Sequence, residues 1–108
     1  MNFHELISIQ SLDDIEQQSA QRTQVILKHS TRCIVSTMAL RNLKQCDADA
    51  DCWILDLLAY RTLSNEISLR YKITHQSPQI IVFRDGKIQC DASHEVITCD
   101  LIKSAYAK

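Results

Sequence analysis

A chain of 108 residues with 45% hydrophobic and 23% charged residues has the composition of a soluble globular protein, and its length suits one domain, taken as residues 1–108. The formal net charge of −1 and the lack of a basic stripe give no electrostatic case for nucleic acid, and no such partner is expected. The apolar runs are too short for a membrane span, and "MNFHELISIQ" has neither a basic nor a continuous apolar leader region, so the expected compartment is the cytoplasm.

In chain order, residues 3–9 form an edge strand through Phe3, Leu6, Ile7 and Ile9, and "SLDDIEQQSAQ" (11–21) a helix capped by Ser11. "TQVILKH" (23–29) is a buried strand, after which the apolar period becomes helical. Over 33–45, helical projection puts Val35, Met38, Ala39 and Leu43 on one stripe, with Cys33 on its border at the helix start. "CDADAD" (46–51) is a polar turn, "CWILDLLAY" (52–60) a second strand, and "SNEISLRYK" (64–72) a helix capped by Ser64. The Asp85–Gly86 pair between two apolar runs predicts a hairpin in which Gln79–Phe83 face Ile88–Ala92. That register returns Ser93 and His94 beside Pro78 and Ser77 and puts Cys90 on one face with Ile88 and Ala92, as a small core residue. "TCDLIKSAYAK" (98–108) closes the chain as a helix capped by Thr98, with Ile97 stapled onto Ile102.

The order β-α-β-α-β-α-β-β-α implies an α/β fold, a central mixed sheet with helices on both faces, which is the thioredoxin-like arrangement. Pro78, the lone proline, opens the hairpin's first strand, where proline is tolerated or cis.

Five cysteines make an odd set without a CxxC pair, and in the cytoplasm all five can stay reduced. Cys46 and Cys52 flank one turn and could approach each other, while Cys99, at a helix start, is expected to be exposed. No paired ligand spacing supports a metal site. A helix N-terminus and a neighbouring cation both favour a thiolate, and Cys33 has both, the cation being Arg32. Lys28 or a protonated histidine could add positive charge; His29 ranks first among the four histidines, then His94 and His75, with His4 as background. Ser36, at the position of a resolving cysteine, cannot resolve a mixed disulfide, although its hydroxyl could hydrogen-bond the thiolate. A single-thiol site therefore suits a substrate that is already a mixed disulfide between a protein and a small thiol.

"KHSTRCIVSTMA" (28–39), "HQSPQIIVFRDGK" (75–87) and "ASHEVIT" (92–98) together resemble the monothiol bacilliredoxins, thioredoxin-like proteins with a CxxS-type site. One departure is Ile34, where that family often has proline. The resemblance implies a thiol-disulfide oxidoreductase in which Cys33 attacks, with Ser36 and Arg32 in support, and His29, Thr31, Ser77, Pro78 and His94 hold the substrate. It implies S-thiolated client proteins as partners, no tightly bound cofactor, and bacillithiol as the small co-substrate; the residues alone allow glutathione or coenzyme A equally. Two other classes fit a lone reactive cysteine: an iron–sulfur carrier with Cys33 bridging a cluster between two chains, and a non-catalytic thioredoxin-like binding module.

Overall fold

The central strand, Thr23–His29, is buried at every residue and parts two separate cores. In the computed structural model, which describes residues 1–105, the order is β1 (Asn2–Glu5), α1 (Gln10–Gln18), β2 (Thr23–His29), α2 (Ile34–Lys44), β3 (Ala50–Asp56), α3 (Arg61–Tyr71), β4 (Gln79–Arg84), β5 (Lys87–Ser93), a 3-10 turn (His94–Val96) and α4 (Cys99–Ala105). The sheet runs β1-β3-β2-β4-β5, with β1, β3 and β2 parallel and β4 and β5 antiparallel to their neighbours. This is the expected mixed sheet between two helical layers.

Alternation along β2 and β4 builds both cores, since successive side chains point to opposite faces. Val25, Leu27, Ile80 and Val82 meet Ala39 and Leu43 of α2 and Ile102 of α4 on one face. Ile26, Ile81 and Phe83 meet Leu12 and Ile15 of α1 and Leu63 and Ile67 of α3 on the other. Each fully buried aliphatic side chain contributes roughly 1.5–3 kcal/mol.

The hairpin closes at Asp85–Gly86, with φ 55° and 76°, the left-handed geometry that an Asp-Gly pair supplies most readily. Ser19 clamps this turn onto the end of α1: its carbonyl accepts the Asp85 N–H and its hydroxyl the Gly86 N–H, both at 2.8 Å. Thr98 caps α4 as expected, its hydroxyl accepting the Leu101 N–H at 3.2 Å, and Ile97 and Ile102 share one core. Residues 106–108 of that predicted helix lie outside the described residues.

Several expectations are corrected. Ser11 is not a cap: α1 begins at Gln10, and the Ser11 hydroxyl bonds that of Ser8. Ala50 and Asp51 join β3 by pairing with Thr23 and Gln24, and Asp56 ends the strand by accepting the Leu58 and Ala59 N–H groups, so "LLAY" is loop despite its apolar character. Helix α3 then starts at Arg61, and Ser64 is buried inside its first turn, where its own N–H donates to the Tyr60 carbonyl. The hairpin register holds at Phe83–Ile88 but shifts beyond it, with Val82 opposite Cys90 and Gln79 opposite Ser93. The bulge puts Ile88 against one core and half-buried Cys90 with Ala92 against the other.

Not all cysteines are reduced. Cys46, just beyond α2, is bonded to Cys99, the first residue of α4. Cys52 is no partner for Cys46; it points from β3 into the core, where burial pushes its thiol up to about 12. Cys99 is half-buried and tied in the bridge.

Candidate functional site

The carboxyl end of β2 carries the candidate site. Its last residues, Lys28 and His29, lead into an exposed turn, Thr31–Arg32, and Cys33 then caps α2 in an extended conformation, φ −110° and ψ 121°. The turn is fixed by the Cys33 N–H donating to the Ser30 carbonyl (3.2 Å), and the Cys33 carbonyl accepts the Thr37 N–H at 3.0 Å and its hydroxyl at 3.2 Å. Cys33 is half-exposed, and the N-terminal dipole of an 11-residue helix lies behind it.

Ser36 is bonded through its hydroxyl to the end of β2. It is fully buried, accepts the Ser30 N–H at 3.0 Å, and its oxygen lies 2.7 Å from His29 Nδ1. Among the described residues no hydrogen bond joins it to Cys33. A polar residue thus occupies the core face of α2 because the end of β2 satisfies it, and the buried stripe becomes Ser36, Ala39 and Leu43. Met38, expected on that stripe, is 58% exposed.

His29 is nearly buried, and its carbonyl accepts the Leu57 N–H at 3.0 Å. Burial holds its imidazole below the ordinary value, against the pull of the Asp56 carboxylate, so the ring is neutral at neutral pH. It is therefore a hydrogen-bonding anchor for Ser36, not a source of positive charge.

The cis Ser77–Pro78 bond lies at the same end of the sheet, because Gln79, the next residue, pairs with Lys28. Among the described residues, the backbone N–H and C=O of Ser77 make no hydrogen bond. His94 returns beside Pro78, its N–H donating to the Pro78 carbonyl at 3.2 Å, and with Glu95 and Ile97 it faces Val35 and Met38 across a shallow groove. Ile34, Met38 and Val96 are exposed apolar residues around this end of the molecule.

Lys28 and His75 bond each other, and among the described residues neither bonds Cys33. The Lys28 side chain enters the opposite face and bonds α3, while His75 lies in the loop before Pro78. His4 stacks on Trp53 in the edge region. The sequence reading missed Gln79, whose side-chain amide donates to the Thr74 carbonyl at 2.9 Å, and the part played by Ser30. The phase of Lys28 with buried Ile26 was the available signal for its inward path.

No helix of the described residues is long and apolar enough to cross a membrane. In overall shape the chain is similar to a solved thioredoxin-fold protein at TM-score 0.83 and 24% identity, over 96% of this chain and 93% of that one. It is also similar to a mutant thioredoxin from Halobacterium salinarum, at TM-score 0.71 and 18% identity over 96% and 90% of the two chains. Thioredoxin f from spinach chloroplast gives TM-score 0.71 and 13% identity over 97% and 94%. These likenesses show the fold. Residues 4–102 match the family model described as monothiol bacilliredoxin BrxC, and by that match over nearly its whole length the protein belongs to the monothiol bacilliredoxin family.

Proposed function

We propose that the protein is a monothiol thiol-disulfide oxidoreductase that takes a low-molecular-weight thiol, bacillithiol, from S-thiolated client proteins in the cytoplasm. One observation carries the reading: Cys33 has no resolving thiol within reach. Ser36 holds that position and is locked by His29 and Ser30. Cys52 and Cys90 sit on the rung of Val25, four residues or about 13 Å down the sheet from His29. The Cys46–Cys99 bridge lies past the far end of α2, about 16 Å away along an 11-residue helix.

Such a site fits a mixed disulfide. The Cys33 thiolate attacks the small-thiol sulfur, a new disulfide forms between them as the disulfide bond to the client sulfur breaks, and the client leaves as a thiolate that takes a proton. Cys33 now carries the small thiol. A second small thiolate attacks that adduct, restores Cys33 and departs as the symmetric disulfide, so each cycle moves two electrons from small thiol to client. The open backbone of Ser77 supports strand-like pairing with the substrate, and Pro78 and His94 border that position. Arg32 and Thr31, exposed beside Cys33, would meet the polar part of the small thiol.

The test is mass spectrometry after mixing with a bacillithiol-modified protein. One bacillithiol on Cys33, absent in Cys33→Ser, is expected, and a parallel glutathione-modified substrate addresses the choice of small thiol. A folded protein that takes neither thiol would overturn the reading.

A further inference from the structure

The proposed reaction leaves one buried charged group unexplained. Lys28 is fully buried on the central strand, and among the described residues no carboxylate lies within ion-pairing distance of it. Its ammonium instead donates to the Ser64 carbonyl (3.0 Å), the Ser68 hydroxyl (2.8 Å) and His75 Nδ1 (3.2 Å). An ammonium only donates, so Nδ1 accepts and the imidazole proton sits on Nε2. Burial and the nearby positive charges of Lys28 and Arg61 hold His75 below its ordinary value, which keeps that acceptor available. Holding an ammonium out of water is costly, and a methionine or leucine would fill the same space without that cost.

Its contacts show what the charge does. His75 belongs to the loop between α3 and the cis Ser77–Pro78 bond, and it is exposed on its other side. The residue before it in the chain, Thr74, is held by the side chain of Gln79. Lys28 and Gln79 are partners in the last rung of the β2–β4 ladder, so one rung supplies both clamps on the loop. The lysine also grips α3 through Ser64 and Ser68, which makes the helix the fixed base of the clamp.

We propose that Lys28, acting through His75, is a positioning residue that sets the Ser77–Pro78 backbone for the mixed-disulfide substrate and has no part in activating the Cys33 thiol. The inference rests on the proposed transfer reaction, and it separates two readouts. Lys28→Met and His75→Ala are expected to slow transfer of the small thiol to Cys33 by roughly tenfold or more, as misplacement of a substrate-holding backbone does. Alkylation of Cys33 by iodoacetamide, which needs no substrate backbone, is expected to be unchanged. The double variant is expected to be no slower than either single one, because both remove the same link. His75→Asn, whose amide oxygen can accept where Nδ1 does, is expected to restore most of the rate. Hydrogen exchange over residues 72–80 reads the clamp without any activity: it should quicken in His75→Ala and stay slow in His75→Asn. Unchanged exchange and transfer in His75→Ala, or alkylation falling in step with transfer, would overturn the inference. Should Lys28→Met fail to fold, the exposed His75 pair decides the question. A wild-type protein that shows no transfer overturns the proposed function, while the exchange data still judge the clamp.

Discussion

Replacing Lys28 with methionine should stabilise the protein at neutral pH and flatten its stability above pH 8. Burial lowers the lysine from its ordinary 10.5 to about 8 in the folded protein. The native state therefore binds fewer protons than the unfolded state between those values, and stability rises with pH across that window. At about 1.4 kcal/mol for each pH unit separating the two values, the buried charge costs the native state about 3 kcal/mol at pH 7. By about pH 9.5 the cost has fallen to about 1 kcal/mol, so the wild type gains about 2 kcal/mol over that interval. Methionine removes the charge and keeps the length. The groups it leaves behind have other partners: the Ser68 hydroxyl still donates to the Ser64 carbonyl at 3.4 Å, and His75 can turn to water. Allowing about 1 kcal/mol for those lost bonds, the variant should be about 2 kcal/mol more stable at neutral pH. Urea unfolding of both proteins at about pH 7 and about pH 9.5 measures this, since groups away from Lys28 cancel in the difference and His75, which Lys28 touches, changes charge below that pH interval. A wild type and variant whose stabilities move in parallel with pH would refute the reasoning. So would a variant less stable at both, because the ammonium's hydrogen bonds would then outweigh its burial.

Three other perturbations test the scaffold. Cys46→Ser with Cys99→Ser opens a bridge spanning 53 residues, and urea unfolding should show a loss of stability with transfer to Cys33 unaffected. Chain entropy puts that loss at about 4 kcal/mol as an upper figure, with about 2–4 kcal/mol typical of such bridges; a wild type that reductant does not weaken would refute it. Ser36→Ala deprives the buried Ser30 N–H and His29 of their shared partner and should cost about 1–3 kcal/mol, again by urea unfolding, whereas a neutral variant would mean the link is idle. Ile34→Pro falls on the first residue of α2, 76% exposed, where a missing N–H is harmless. Thermal unfolding should show no change or a gain of up to about 1 kcal/mol, and a clear loss would place the backbone there outside proline's range.

The sequence pattern carried the sheet and the placement of Cys33, because a buried strand followed by a helical period has few other solutions. It misled where a local signal competed with a tertiary one. The apolar run after Asp56 reads as strand, but the carboxylate turns the chain first. Ser11 and Ser64 look like caps, yet the Ser11 hydroxyl bonds Ser8 from inside its helix, and Ser64 is buried with its carbonyl taken by Lys28, a tertiary contact that no local signal announces. A one-residue bulge moved Ile88 off the face of Cys90, and nothing in "GKIQCDAS" announces it. The Cys46–Cys99 bridge joins residues far apart in sequence, beyond the reach of spacing arguments.

The tripeptide "KHS", residues 28–30, now has a physical account that explains both halves of the site. Successive residues of a strand face opposite ways. Lys28 therefore turns toward α3 and reaches the loop that leads to Pro78, while His29 turns toward α2 and meets Ser36. Ser30 supplies the N–H that completes the Ser36 anchor and the carbonyl that holds the Cys33 N–H. One end of one strand thus fixes the first turn of the helix that presents the thiol and the loop that would present the substrate. Among the described residues neither anchor hydrogen-bonds the Cys33 sulfur, so the two halves can be weakened separately. Loosening Ser36 should disturb the helix start, and loosening His75 should disturb substrate placement alone.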